Sequence, residues 1–120
     1  MALEWWLNLK IPQVDLAIWL YEAAWFEAFS VGNVPAAKER LNLAERLPFD
    51  ERLNCSAWKA RAVIAASEGR RADAADAAAK AEEAIRHMTF DEGLAKAIKE
   101  DLHTLLDPRW RKPLSHPDLL

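Results

Sequence analysis

A single glycine, Gly69, separates two proline-free runs, AWKARAVIAASEG and RRADAADAAAKAEEAIRHM. Both runs are rich in alanine, the strongest helix former. Glycine accepts the positive φ at which helices commonly stop. Residues 57–88 therefore read as two helices turned back on each other at Gly69. In the second, Ala74, Ala78, Ala81 and Ile85 recur at helical spacing, with Ala77, Ala84 and Met88 beside them. Asp73, Asp76, Lys80, Glu83 and His87 recur on another side, which makes an amphipathic helix with a small apolar stripe. Residues facing across the pair are mostly alanine, so the two backbones can approach closely. A methyl group buries little area, so larger neighbours on either side must cover the pair.

Those neighbours are supplied by the flanking segments. Residues 1–10 carry Leu3, Trp5, Trp6 and Leu7 and end at Ile11-Pro12, where the residue before proline leaves the helical region. A short packed arm over residues 1–12 is expected. A membrane-surface anchor is disfavoured, because only Glu4 and Lys10 are charged there. Asp15 is expected to cap a helix to about Val31. That helix carries Leu16, Trp19, Tyr21, Trp25, Phe26 and Phe29 with no continuous polar face. It is expected at the centre of the fold, or with one side against another molecule. Asn33 caps a helix over 34–47, stopped by Pro48, and Asp50 caps one over 51–68. Thr89-Phe90-Asp91-Glu92 forms a capping box for a last helix carrying Leu94, Ala97, Ile98, Leu102 and Leu105, terminated at Asp107-Pro108. The tail, broken by Pro113 and Pro117, is expected to be extended and in part disordered.

Length and charge exclude several classes. A chain of 120 residues with 52% hydrophobic and 29% charged residues is one globular domain. A net charge of -3 argues against general nucleic-acid binding. No run of uncharged apolar residues is long enough to span a membrane, and no signal peptide is read at the N-terminus. Cys55 is the one cysteine, which fits a reducing, cytoplasmic compartment. Catalytic and metal constellations are not expected. The serines sit in no nucleophile elbow, and His87, His103 and His116 have no metal-ligand spacing with one another or with Cys55. His87 and His103 read as solvated, and Cys55 as a packed, inert thiol. No cofactor and no small-molecule substrate are expected.

The glycine turn occurs twice. Gly32 ends the first helix of one pair and Gly69 that of the next, 37 residues later. Ala37 and Ala44 follow Gly32 at the spacing at which Ala74 and Ala81 follow Gly69, and Tyr21 and Trp58 precede their glycines equally. Fixed-offset similarity marks a repeat array. Trp58, Ala62, Gly69, Ala74 and Ala81, with Tyr21, Gly32, Ala37, Ala44 and Pro48, resemble the tetratricopeptide repeat family. Trp25 departs from that pattern by replacing a small residue, and Arg61 by replacing an apolar one. The resemblance spans roughly residues 14–88. It implies an all-α fold of antiparallel helix pairs stacked in a right-handed superhelix. The pairs are residues 14–48 and 50–88, with a capping helix over 89–107, a single domain over 1–108 and a tail over 109–120. A plain helical bundle with incidental alanine spacing is the alternative.

In that family the first helices of the units line a concave groove for a peptide or protein segment. Carried over by register, the groove residues are Trp19, Glu22, Phe26 and Phe29, then Ser56, Lys59, Val63 and Ala66. The resemblance implies a non-enzymatic protein–protein interaction module: an adaptor, an assembly factor or a small subunit of a complex. Lys59 alone is too little for a carboxylate-clamping version. The competing reading packs the same aromatics against the N-terminal segment or the tail. A second expectation is a homodimer with Trp5, Trp6, Trp19 and Trp25 at its interface, because their combined area exceeds what a short stack covers. Residues 1–12 folding over the helix would instead leave a monomer. A rival from another class is the tail, where Arg109, Trp110, Arg111 and Lys112 combine charge with an aromatic, as nucleic-acid contacts do. Trp110 folding back onto the domain, or docking on a partner, is the reading set against it.

Overall fold

The computed structural model describes residues 13–88 and 92–115. The expected arm with Trp5 and Trp6, the start of the capping box, and His116 lie outside the described residues. Among the described residues every regular element is helical. Helix α1 spans Gln13–Phe26 and continues as a π-helical turn over Glu27–Val31; α2 spans Val34–Glu45. A 3-10 turn over Glu51–Leu53 leads into α3, Asn54–Ser67; α4 spans Arg71–Arg86 and α5 spans Glu92–Leu106.

The caps explain the boundaries. Asn33 Oδ1 accepts from the Ala36 N–H at 3.2 Å, so the free amides at the start of α2 find a partner, and Pro35 sits in the first turn where no amide is needed. Asp50 accepts from the Arg52 N–H at 2.9 Å, but it caps the 3-10 turn rather than α3 itself. Asp15 is a correction: it lies within the first turn of α1, not ahead of it. Its charge there still meets the positive end of the helix dipole. Gly32 and Gly69 both take φ 79°, the left-handed geometry at which side chains other than glycine are strained.

Short turns fold consecutive helices onto each other. Helix α1 packs on α2, α3 on α4, and α4 on α5, while α3 also touches α1, α2 and α5. The central element is therefore α3; of the two expectations for α1, the place at the centre is corrected and a side facing another molecule stays open. The reason lies in side-chain size. Ala57, Ala60, Ala62 and Ala65 are buried around α3, and they let neighbours close in from several sides. Across the α3–α4 contact Ala74, Ala77, Ala78 and Ala81 are buried too. Larger residues fill what remains. One cluster joins Leu16, Leu20, Tyr21 and Leu53 between α1, α2 and α3. Another joins Trp25, Val63, Ile64, Ile85, Ile98, Leu102 and Leu105. Leu94 is a correction: it is 47% exposed, off the buried stripe of α5. The four alanines at matching offsets from the two glycines, Ala37, Ala44, Ala74 and Ala81, are all buried.

Candidate functional site: the outer face of the first helix

Trp19, Glu22 and Phe26 follow each other at three- and four-residue steps, so they share one face of α1. Trp19 is 53% exposed and Phe26 56%, although both belong to the most apolar helix of the chain. Glu22 lies between them and is fixed from the side by α3. Its Oε1 accepts from Ser56 Oγ at 2.9 Å, and its Oε2 accepts from Lys59 Nζ at 3.0 Å. Lys59 is 6% exposed. Its ammonium lies 4.9 Å from the centroid of the Trp25 ring, so an aromatic face and a carboxylate together replace its water. A lysine buried this way is committed to the fold. The expectation that Lys59 contacts a ligand is corrected, and its role is to hold Glu22 in place between the two exposed rings.

The next aromatics along α1 are covered from within. Trp25 is buried and stacks on Phe29 with centroids 4.6 Å apart. Phe29 stacks in turn on Trp110 of the tail at 5.9 Å. Trp25 is therefore a core residue, which corrects its placement at an oligomer interface. Phe29 is not an open groove position, because the chain's own tail lies on it. Val63 is fully buried and lines no groove either.

The tail is shaped to reach this place. Asp107 turns the chain after α5, accepting from the Arg109 N–H at 2.8 Å and from the Arg109 guanidinium at 3.1 and 3.0 Å. These bonds hold the Asp107 carboxyl down at about 2. The Trp110 N–H closes the turn on the Asp107 carbonyl at 2.9 Å. Lys112 Nζ then reaches the Gly32 carbonyl at 3.4 Å. A Cβ on Gly32 would fall on the Pro113 carbonyl, so the tail backbone passes directly over this glycine.

Compared with protein-family models, with curated proteins and with solved structures, the chain matches none.

The remaining candidates separate cleanly. Burial pushes the Cys55 thiol up to about 11, which favours the neutral thiol, with the Lys59 charge opposing only in part. His87 and His103 are exposed and lie 3.0 and 3.1 Å from Glu83 and Glu82. No group of three potential metal ligands occurs among the described residues. No helix among them is long and apolar enough to cross a membrane. A cleft of about 520 Å³ between α3 and α4 contains Trp58, Lys80, Glu51 and Glu83. Its Trp58 ring is already taken by Lys80 at 4.4 Å and Arg61 at 4.6 Å, and its walls carry both signs of charge. Of the alternatives the sequence left open for these aromatics, packing against the tail is the one found for Phe29, with Trp110 folded back onto it. The i, i+4 step from Trp25 to Phe29 was the available signal, because it places two rings in one stack and leaves an outer face to be capped.

Proposed function

We propose that this chain is a non-enzymatic protein-interaction module resembling tetratricopeptide repeats, which binds an apolar segment of another protein on the outer face of α1. The observation that carries the reading is the pair Trp19 and Phe26, each more than half exposed on either side of a positioned carboxylate. Exposed aromatics at i and i+7 with a fixed polar group between them suit an amphipathic helix or an extended segment. The rings supply apolar area, and Glu22 retains acceptor capacity for a basic or amide group. The repeat reading is supported by the paired glycines at φ 79° and the four buried alanines at matching offsets. A homodimer through Trp19 is the same surface with a second copy as occupant.

A displayed library of random peptides, selected on the purified full-length chain, tests the proposal. The expected result is enrichment of a motif with two or more apolar anchors, lost when Trp19→Ala and Phe26→Ala are combined. Both side chains are half exposed, so this variant keeps the helical circular dichroism of the parent. Trp25→Ala is the contrasting control and costs about 3–5 kcal/mol of stability, as core aromatic truncations do. Light scattering over a concentration series separates the homodimer from a foreign partner. Enrichment that survives the double variant, or no enrichment at all, refutes the α1 face.

A further inference from the structure

A second cleft lies where the tail crosses the turn between α3 and α4. It measures about 450 Å³ and is lined by Ser67, Gly69, Arg71, Trp110, Arg111 and Leu114, among others. No carboxylate lines it among the described residues. Two guanidinium groups meet at its edge. Arg71 Nη2 and Arg111 Nη1 both donate to the Pro108 carbonyl oxygen, each at 2.9 Å. Arg111 Nη1 also donates to the Trp110 carbonyl at 2.7 Å. Two positive groups are thus held side by side on one neutral oxygen.

The carboxylates of the surrounding surface are matched to other cations. Glu68 binds Lys38 at 2.8 Å and Arg70 at 2.7 Å; Asp73 binds Arg70 at 3.0 Å; Asp107 binds Arg109 at 3.0 Å. Arg71 and Arg111 make no ion pair with a carboxylate among the described residues, although the chain as a whole carries a net charge of -3; Asp107 feels the Arg71 charge at longer range but is bonded to Arg109. Both are exposed. Neighbouring guanidiniums with free donors form a fork that fits an oxyanion, and their shared carbonyl fixes the fork before the ligand arrives.

We propose that this cleft binds one anionic group, a carboxylate or a phosphate, carried on a peptide segment of a protein partner. The proposal rests on reading the chain as a peptide-binding module, at a site separate from the α1 face. A peptide fits better than a nucleic acid. One face of the Trp110 ring is stacked on Phe29, and Arg109 is turned onto Asp107, so the expected run of tail contacts is broken. What remains is a footprint for one anion rather than a track of phosphates. Trp110 forms a wall and holds the tail, and Gly32 lets the Pro113 carbonyl pass close enough to keep that wall in place.

The test is a titration of the ¹⁵N-labelled full chain, read at the side-chain Nε–H signals of Arg71 and Arg111 and at the Trp110 indole. The probes are acetylated hexaglutamate, the same peptide with one phosphoserine, hexaglutamine, and a thymidine hexanucleotide. Both acidic peptides are expected to move the Arg71 and Arg111 signals saturably, and the tighter of the two assigns the group as carboxylate or phosphate. Hexaglutamine is expected to leave them still. Arg71→Gln and Arg111→Gln are each expected to weaken binding about tenfold, the size of a lost charge-assisted hydrogen bond. Each single variant leaves Pro108 with the other arginine, so the tail stays docked. Trp19→Ala combined with Phe26→Ala is expected to leave this titration unchanged, which separates a failure here from a failure of the α1 face. The proposal is overturned if hexaglutamate moves no signal, if it moves all surface cations alike, if either glutamine variant binds as the parent does, or if the hexanucleotide binds more tightly than the acidic peptides.

Discussion

Replacing Gly32 by alanine and, separately, Gly69 by alanine isolates the contribution of the tail. Both glycines sit at φ 79°, so both substitutions carry the same left-handed strain, about 1–2 kcal/mol. Both also stiffen the unfolded chain equally, an opposing effect of about 0.4–1 kcal/mol. Those contributions cancel in the difference between the two variants. What does not cancel is the space around the new methyl group. At Gly69 it meets nothing within 4 Å, whereas at Gly32 it falls on the Pro113 backbone. Backbone cannot rotate away as a side chain can, so Gly32→Ala must lift the tail. Lifting it separates Trp110 from Phe29, which costs about 0.5–1.5 kcal/mol for the ring pair, and exposes the half-buried indole as well. Gly69→Ala is therefore expected to cost about 1 kcal/mol and Gly32→Ala about 2–4 kcal/mol. Urea unfolding followed by circular dichroism gives both values, and the Trp110 indole signal reports the tail directly. Equal losses in the two variants, with Trp110 undisturbed in Gly32→Ala, would refute the reasoning.

Three further outcomes are expected. Lys59→Ala removes the partner of Glu22, the ammonium over the Trp25 ring and a buried aliphatic stem, and is expected to cost about 1–3 kcal/mol; Lys59→Met, which keeps the bulk of the stem, costs less, and chemical denaturation ranks the two. With its pKa raised from 9.0 to about 11, Cys55 presents roughly a hundredfold less thiolate at pH 8 than an open thiol. Iodoacetamide should label it slowly in the native chain and at the ordinary rate in urea; equal rates would count against its burial. Asp107 has its pKa lowered, so its stabilisation of the turn is complete above the ordinary aspartate range and is lost as pH falls through about 2. The Trp110 indole signal should therefore shift toward its solvent position between about pH 4 and pH 2, and a signal constant over that range would oppose the assignment.

The alanine-rich pair was legible in the sequence because propensity, spacing and the glycine turn all agree there. Asn33 was legible for the same reason: a cap is a local hydrogen bond within one turn. The aromatic helix was not. With apolar residues on nearly every side, α1 has no pattern to say which tryptophan turns inward. Trp25 is set apart from Trp19 by Lys59 of α3, which lies far away in sequence, and by its stack on Phe29. Lys59 was misread because lysine normally keeps its charge in water, and its burial depends on Glu22 and Trp25 arriving from another helix. The π-helical turn left no signal either, since it widens the helix through backbone geometry rather than residue type. The tail residues Arg109 and Arg111 look alike in sequence; one is neutralised by Asp107 and the other meets Arg71, and only folding separates them.

The contact between Lys112 and Gly32 joins residues 80 positions apart and sets an order on synthesis. The helix pairs close through neighbours in the chain and can form as they emerge. The Phe29 ring has no such local cover, and Trp110 follows about 80 residues behind it. At about 5–20 residues per second, that is roughly 4–16 s during which the nascent chain shows an uncapped aromatic stack. Over that interval the N-terminal half is a target for chaperones, and a pause before residue 110 would lengthen it.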